Sequence, residues 1–524
     1  MASVGSGYTS PKEVESKLEA LRATFSSGCT KDLRWRKWQL KQLFWLVRDN
    51  EAAIADALYK DIGKHEFEAF FTEIASVKKD ILDHISNLED WAADEVPDAG
   101  FAFTKLGSAV IRKEPLGVAL IIGPWNFPFA LVMQPLCAAI AAGCTAMVKP
   151  SELCPTVASL VETLLPQYVE SRAYTTVTGG AEEMSFILSL KYNHIFFTGS
   201  TPVGKHIAAA AAKHLTPTVL ELGGQGPTIV TATANVDPAA KRIACSKFLN
   251  AGQICITTNH VFVDPSVHKE FVARLRVWNE TFHEKPEHGS QMAKIVNERN
   301  HDRLTNMITN TTGEVICGST GDREKLTIPT TIIDNVTMDD ALLDSEIFGP
   351  LLPIIEMGFQ EAVDKITEGP HPLAINIFSH KKSEIDYILN HTISGGVSIN
   401  DCMLHAAVPN AGFGGVGDSG MGAYHGKLGF EAFTHRRTVA RMPDFLDSAM
   451  SFRYPPFDMK NKKAVDVGTR VGFKRGETLQ DQKIGGGYGK VSVLGVTIAL
   501  ALVATLHAPS RKVLYARLGN ILSS

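Results

Sequence analysis

Cys255 lies in the run Asn250-Ala251-Gly252-Gln253-Ile254-Cys255, and Glu221 lies 34 residues upstream in Glu221-Leu222-Gly223-Gly224. A thiol flanked by small residues is open to an electrophile and to a bulky cofactor. Cys255 is therefore a candidate nucleophile, and Glu221 a candidate base for it or for a later water. A thiol with an ordinary pKa of about 8.5 is only slightly ionised at neutral pH, so the site is expected to lower that value. The remaining cysteines (Cys29, Cys137, Cys144, Cys154, Cys245, Cys317 and Cys402) are expected mostly as small buried hydrophobes.

Five further segments can carry chemistry, each with a plainer alternative. In Gly123-Pro124-Trp125-Asn126-Phe127-Pro128, Asn126 can direct its amide at a developing oxyanion, or simply satisfy a turn. Lys149 and Glu152, in Lys149-Pro150-Ser151-Glu152, can bond ribose hydroxyls, or form a solvated ion pair. Gly199-Ser200-Thr201-Pro202-Val203-Gly204 joins a strand to a helix whose N-terminus favours a phosphate. It is neither GxGxxG nor a Walker A loop, and an N-capped turn is the rival. Glu346 and Phe348 are two apart in an extended turn, placing a carboxylate for a ribose and a ring for a nicotinamide on one side, although Phe348 alone suits a core. Phe413 to Gly422 is dense in glycine, which implies close backbone approach or a linker.

The elements that must position these residues alternate. Val118 to Ile122 is a continuous apolar run bounded by Gly117 and Gly123, as in a strand buried on both faces. Strands are predicted at Ala146 to Lys149, Thr175 to Thr178, His194 to Thr198 and Thr218 to Glu221, with helices at Val132 to Ala142, Thr156 to Tyr168, Glu182 to Leu190 and Val203 to His214. Strict alternation predicts right-handed crossovers and a parallel sheet with a ligand crevice at its carboxyl edge. A second βα region follows, with strands at Thr228 to Thr231, His260 to Val263, Gly349 to Ile355 and Ala374 to Phe378. Residues before about Glu95 are helical in pattern, including Phe67 to Trp91.

Composition excludes several classes. With 524 residues the chain is too long for one ordinary domain. Its 52 Lys plus Arg against 56 Asp plus Glu leave a net charge of −4, with no basic stripe to bind nucleic acid. The cysteines have no CxxC pairing, so spacing indicates neither a metal site nor a disulfide framework. The Ser/Gly-rich start lacks the apolar region of a secretory signal, consistent with a cytoplasmic catalytic region.

Taken in order, PWNFP, KPSE, FTGS, ELGG, GQxC, EIFGP and FGGVG resemble the aldehyde dehydrogenase superfamily over about residues 11 to 440. Gly415 to Gly426 and Arg453-Tyr-Pro-Pro-Phe457 are similar to its class 3 branch, which includes the fatty aldehyde dehydrogenases. The resemblance implies an α/β fold with a Rossmann-like parallel-sheet cofactor domain (1–96 and 113–222), a second α/β catalytic domain (223–418) and small oligomerisation strands (97–112 and 428–441). It implies NAD, with NADP possible, and a homodimer. Cys255 then matches the nucleophile, Glu221 the general base, and Asn126 the oxyanion donor beside the Cys255 amide. Lys149, Glu152, Gly199, Ser200, Thr201, Pro202, Val203, Gly204, Glu346 and Phe348 match cofactor contacts. The implied reaction oxidises an aldehyde to a carboxylic acid through a thiohemiacetal and a thioester. Acyl transfer to coenzyme A, thioester hydrolysis and a catalytically silent membrane scaffold are the alternatives. Gln225-Gly226 and Ser345 depart from the family pattern: the first pair is expected to alter only local loop packing, and Ser345 to change slightly the electrostatics on the cofactor side.

Phe127, Ile254, Ile256 and Phe413 are candidates for an apolar substrate channel suited to medium or long aliphatic, or aromatic, aldehydes. Beyond an irregular Gly-, Lys- and Arg-rich extension (442–490), Val491 to Leu506 is uncharged over sixteen residues. It spans roughly 24 Å as a helix, against a hydrocarbon core of about 30 Å. Extending it to 491–508 brings it near the lower limit, and Lys483, Lys490, Arg511 and Lys512 flank it as interface anchors. This C-terminal apolar helix is expected to tail-anchor the enzyme to an intracellular membrane such as the endoplasmic reticulum. A helix packed on the protein surface is the alternative.

Overall fold

Val118–Ile122 has no polar face and needs cover on both sides; in the computed structural model all five residues are buried in a strand. The structure describes residues 7–99, 103, 107–283, 291–466, 469 and 471–482. The chain divides into two units, 1–92 with 115–435, and 93–114 with the residues from 436 onward.

In chain order the strands are β1 (Ser108–Pro115), β2 (Val118–Ile122), β3 (Thr145–Lys149), β4 (Tyr174–Thr176), β5 (His194–Thr198), β6 (Thr218–Glu221) and β7 (Pro227–Val230). Then come β8 (His260–Val263), β9 (Glu314–Cys317), β10 (Thr331–Asp334), β11 (Leu351–Glu356), β12 (Ala374–Phe378), β13 (Gly396–Ile399), β14 (Gly420–Met421) and β15 (Thr434–Arg441). One sheet of the larger unit has the order β14-β6-β5-β2-β3-β4 and is parallel except at β14. Strands β2, β3 and β4 progress one way and β5 and β6 the other, so the order reverses between β2 and β5. A crevice opens at such a reversal, outside the carboxyl ends of the strands. Asn126 follows β2, Lys149 ends β3, Gly199 follows β5 and Glu221 ends β6, so four predicted segments share that edge.

The second sheet, β13-β12-β7-β8-β11-β10-β9, is parallel except at β9. Its inner strands are wholly buried, which explains their near-continuous Val and Ile content. Separate apolar clusters lie against the sheets.

The helix predicted over Phe67 to Trp91 is broken. Glu66–Ala69 and Ala75–Ala92 are α-helical, and Phe70–Ile74 between them is a π-turn. Such an insertion often marks a functional position, and here it carries Glu73.

In the smaller unit β1 pairs with β15, and Glu95 forms an ion-paired cluster with Lys113 and Arg436. The strand predicted over 428–441 begins only at Thr434. Residues 428–432 belong to the helix Gly426–Ala432, which buries Gly429 and Phe430. The described part of the extension holds short 3₁₀ turns and the helix Lys462–Asp466. Among the described residues no helix is long and apolar enough to cross a membrane. The expected anchor, 491–508, lies outside the described residues.

Candidate active site

The turn before Cys255 is strained. Asn250, Ala251 and Gly252 all have positive φ, at 49°, 53° and 67°. Two of the three are not glycine, a conformation that persists only where surrounding bonds enforce it. The Asn250 N–H donates to Glu68 Oε1 at 2.6 Å, and Asn250 Nδ2 donates to the carbonyls of Asn126 and Gln253. Gln253 Nε2 donates to the carbonyls of Asn250 and Lys294, and its Oε1 accepts from the Val296 N–H. At Gly252 a Cβ would lie 2.3 Å from the Gly349 carbonyl oxygen, so this position admits glycine alone. The turn delivers Cys255, half-buried, to the wall of a large cavity.

Asn126 is brought to the same place. Its Nδ2 donates to the Gln253 carbonyl at 3.1 Å, which occupies one amide hydrogen and leaves the second. Its own main-chain carbonyl accepts from Asn250 Nδ2 and, at 3.3 Å, from Lys64 Nζ. Lys64 is fully buried, pairs with Glu73 and sits 4.1 Å over the Phe127 ring. Glu73 in turn accepts the N–H groups of Phe129 and Ala130, which open the helix Ala130–Ala142. Nothing in the spacing of Lys64, Glu68 and Glu73 signals this support, because each acts on residues more than fifty positions away.

Glu221 is buried, and neither carboxylate oxygen has a protein partner. Burial alone pushes its acid well above the usual carboxylate range. The Cys255 thiol is pushed up to about 12, first by burial, then by the charges of Glu346 and Glu221; the amides of Cys255 and Ile256 partly oppose this. The expected lowering is therefore reversed for the protein alone. The leading charges acting on the thiol are those of two acids rather than of a Lys, Arg or His⁺. Glu346 itself is raised to about 7, again mainly by burial, against the amide of Gly224 and the charges of Lys247 and Arg303.

The predicted cofactor segments line the same cavity as Cys255, Glu221 and Asn126. Lys149, Glu152, Gly199, Ser200, Thr201, Pro202, Val203, Glu346 and Phe348 all border it. Gly204 does not; a Cβ there would lie 2.5 Å from a Leu222 methyl, so it serves close packing of helix on strand. Ser200 occupies the N-cap of Thr201–Ala212 without making a side-chain cap bond, and Pro202 sits in the first turn. That leaves amide hydrogens and a hydroxyl for an anion, which suits a dinucleotide pyrophosphate. Lys149 and Glu152 form an ion pair at the cavity wall. Phe348 is half-buried with φ of 44° and meets the Trp125 ring edge-on at 5.2 Å. Its turn is held by Arg303, which donates to the carbonyls of Glu346 and Ile347, and by Asn259, which accepts from the Ile347 N–H. Sequence reasoning missed Arg303 and Asn259.

The cavity encloses about 2250 Å³. Phe127, Ile254, Ile256 and Phe413 all line it, and Ile254 and Ile256 join Leu373 and Ala374 in an apolar cluster against which Phe127, Cys255 and Phe413 pack. The glycine-dense loop is ordered: Phe413 pairs with Tyr424, and β14 within it extends the first sheet.

Comparison with known proteins agrees with this geometry. The aldehyde dehydrogenase family model matches residues 6–439. The dimeric NADP-preferring aldehyde dehydrogenase of Rattus norvegicus is 39% identical over 449 residues, covering 85% of this chain and 98% of that protein. The beta-apo-4'-carotenal oxygenase of Neurospora crassa is 41% identical over 441 residues, 83% of this chain and 82% of its own. Among solved structures, a substrate-bound Staphylococcus aureus AldH superposes with a TM-score of 0.83 at 37% identity, covering 87% of this chain and 99% of that one. The chain belongs to the aldehyde dehydrogenase family.

Proposed function

We propose that the protein oxidises long, apolar aldehydes to carboxylic acids with NAD or NADP, using Cys255 as nucleophile, Asn126 as oxyanion donor and Glu221 as general base. The observation that carries this reading is the convergence of those three residues on one cavity with the phosphate-favouring helix start at Thr201.

The Cys255 thiolate attacks the aldehyde carbon, and the carbonyl electron pair moves to oxygen. The free hydrogen of the Asn126 amide and the Cys255 N–H stabilise that oxyanion in the thiohemiacetal. When bound, the dinucleotide supplies the acceptor for the hydride leaving the former aldehyde carbon. The Cys255 thioester that remains is attacked by water, whose proton passes to Glu221. Collapse releases the acid and returns the thiolate. Lys149 and Glu152 would hold the adenosine ribose, Gly199 to Val203 the pyrophosphate, and Glu346 and Phe348 the nicotinamide side. Residues 1–96 and 113–222 form the cofactor domain and 223–418 the catalytic domain.

The size and apolar lining of the cavity support a long substrate, because room remains beside a dinucleotide. A relative's name points the same way: the Neurospora crassa protein is named for a carotenal. An NAD(P)H absorbance assay with hexanal, hexadecanal and an apocarotenal tests the reading. Turnover should favour the long substrates in the wild type and vanish in Cys255→Ser; equal or greater turnover of hexanal would refute the length preference.

The protein is further proposed to be a homodimer, with exposed β15 available to extend a partner's sheet, and to be tail-anchored through 491–508 to an intracellular membrane. The uncharged run between basic flanks supports anchoring. The intact chain should sediment with membranes and a chain ending at Lys490 should not; detergent-free solubility of the intact chain would refute it.

A further inference from the structure

The helix Ala75–Ala92 carries Asp80 and His84 four residues apart, hence on one face, and packs against Ala130–Ala142, which carries Cys137. All three residues are buried, and one ligand atom of each lies within 4.8 Å of the others. His425, the residue before Gly426–Ala432, brings its Nδ1 to 4.0 Å from Asp80 Oδ1. That third helix packs on the first two. None of the four residues has a part in the chemistry at Cys255.

Two observations set this cluster apart from ordinary buried polar residues. His84 Nδ1 lies 2.8 Å from the Asp80 main-chain oxygen, a contact that requires an N–H on Nδ1. The other nitrogen, Nε2, then holds a free lone pair, and it is buried with no hydrogen-bond partner. A carbonyl fixing the tautomer on one side of an imidazole is the arrangement that prepares the opposite nitrogen for a metal. Beside the imidazole lie a buried carboxylate and a buried thiol. A buried cation would satisfy thiolate, carboxylate and imidazole together.

We propose that Asp80, His84, Cys137 and His425 bind a divalent transition-metal ion of the zinc class. One thiol, one carboxylate and two imidazoles make a four-donor set suited to tetrahedral zinc. On binding, the Cys137 S–H bond breaks, its proton leaves to water and a sulfur–metal bond forms, with no change in oxidation state. Donor atoms of Asp80, His84 and Cys137 lie within 4.8 Å of one another and His425 Nδ1 lies 4.0 Å from Asp80 Oδ1, so metal bonds of about 2.0–2.3 Å require the side chains to close in on the ion. Asp80 and His425 line the substrate cavity, which gives the ion a route. The His425 ring stacks on Tyr424 at 4.1 Å, and Tyr424 meets Phe413 edge-on at 5.8 Å. Occupancy therefore stiffens one wall of the substrate channel. Sequence spacing shows no such site because its ligands come from separate elements.

The test uses the full chain carrying Cys255→Ala, which removes the reactive thiol as a competing ligand, titrated with Co²⁺. The expected result is a one-to-one complex with a thiolate-to-cobalt charge-transfer band and the intense d–d bands of a tetrahedral site. Adding Cys137→Ser, which keeps the side-chain volume, must abolish the charge-transfer band. Zn²⁺ must displace the cobalt spectrum and raise the unfolding temperature of the Cys255→Ala chain, but must not raise it once His84→Gln is added. Absence of the complex, survival of the band in Cys137→Ser, or zinc stabilisation independent of His84 would each overturn the proposal.

Discussion

Lys64 and Glu73, both without solvent exposure, form an ion pair of 2.5 Å whose remaining bonds end on the turn that carries Asn126. Lys64 holds the Asn126 carbonyl and the Phe127 ring, while Glu73 holds the amides at 129 and 130. The pair acts on the oxyanion donor through the main chain.

Removing one partner leaves the other charge buried, at a cost of about 3–5 kcal/mol. Lys64→Met and Glu73→Leu should each lower the denaturation midpoint and kcat together. Lys64→Met with Glu73→Leu should lose less stability than the two single changes combined, since no charge is stranded. Additive losses in the double-mutant cycle would show that the pair is not coupled.

Asn126→Ala removes one oxyanion donor. A fall in kcat of about 10²–10³ is expected, with little change in the cofactor dissociation constant. Steady-state kinetics and cofactor titration separate the two. Turnover at the wild-type rate would remove Asn126 from the mechanism.

Alkylation of Cys255 in the cofactor-free enzyme should be slow at neutral pH and rise roughly tenfold per pH unit through the alkaline range, because only the thiolate reacts. The thiol titrates near 12, and Glu346 near 7. Below pH 7 the Glu346 acid is neutral and has no charge to oppose the thiolate; above it, the carboxylate does. Glu346→Gln should therefore accelerate alkylation above pH 7 and leave it nearly unchanged below. Iodoacetamide rates followed by peptide mass spectrometry check both limbs, and a flat difference across pH 7 would contradict the assignment.

The strand framework was legible because doubly buried parallel strands are nearly continuous apolar runs: His194–Thr198, Thr218–Glu221, His260–Val263 and Ala374–Phe378 fall where the pattern places them. The segments at their carboxyl ends were legible as short clusters of Gly, Pro, Asn, Lys and Glu. Their supports were not. Lys64, Glu68 and Glu73 look like surface charges in the sequence, yet all three are buried: Lys64 just before the helix Glu66–Ala69, Glu68 within it and Glu73 in the π-turn. Arg303 sits in a polar helix whose partner turn is about forty residues away. The direction of the Cys255 shift also escaped the sequence, since it depends on which charges share a buried cavity rather than on which residues flank the thiol.

The acyl bond to sulfur is the step on which the account stands. Glu221→Gln should still form the thioester but release it slowly. Mixing that variant with hexadecanal and NAD⁺, then quenching in acid for peptide mass spectrometry, should find a hexadecanoyl group on Cys255, lost on treatment with hydroxylamine. NADH formation with the acyl group on another residue, or with Cys255 unmodified throughout, would contradict the account.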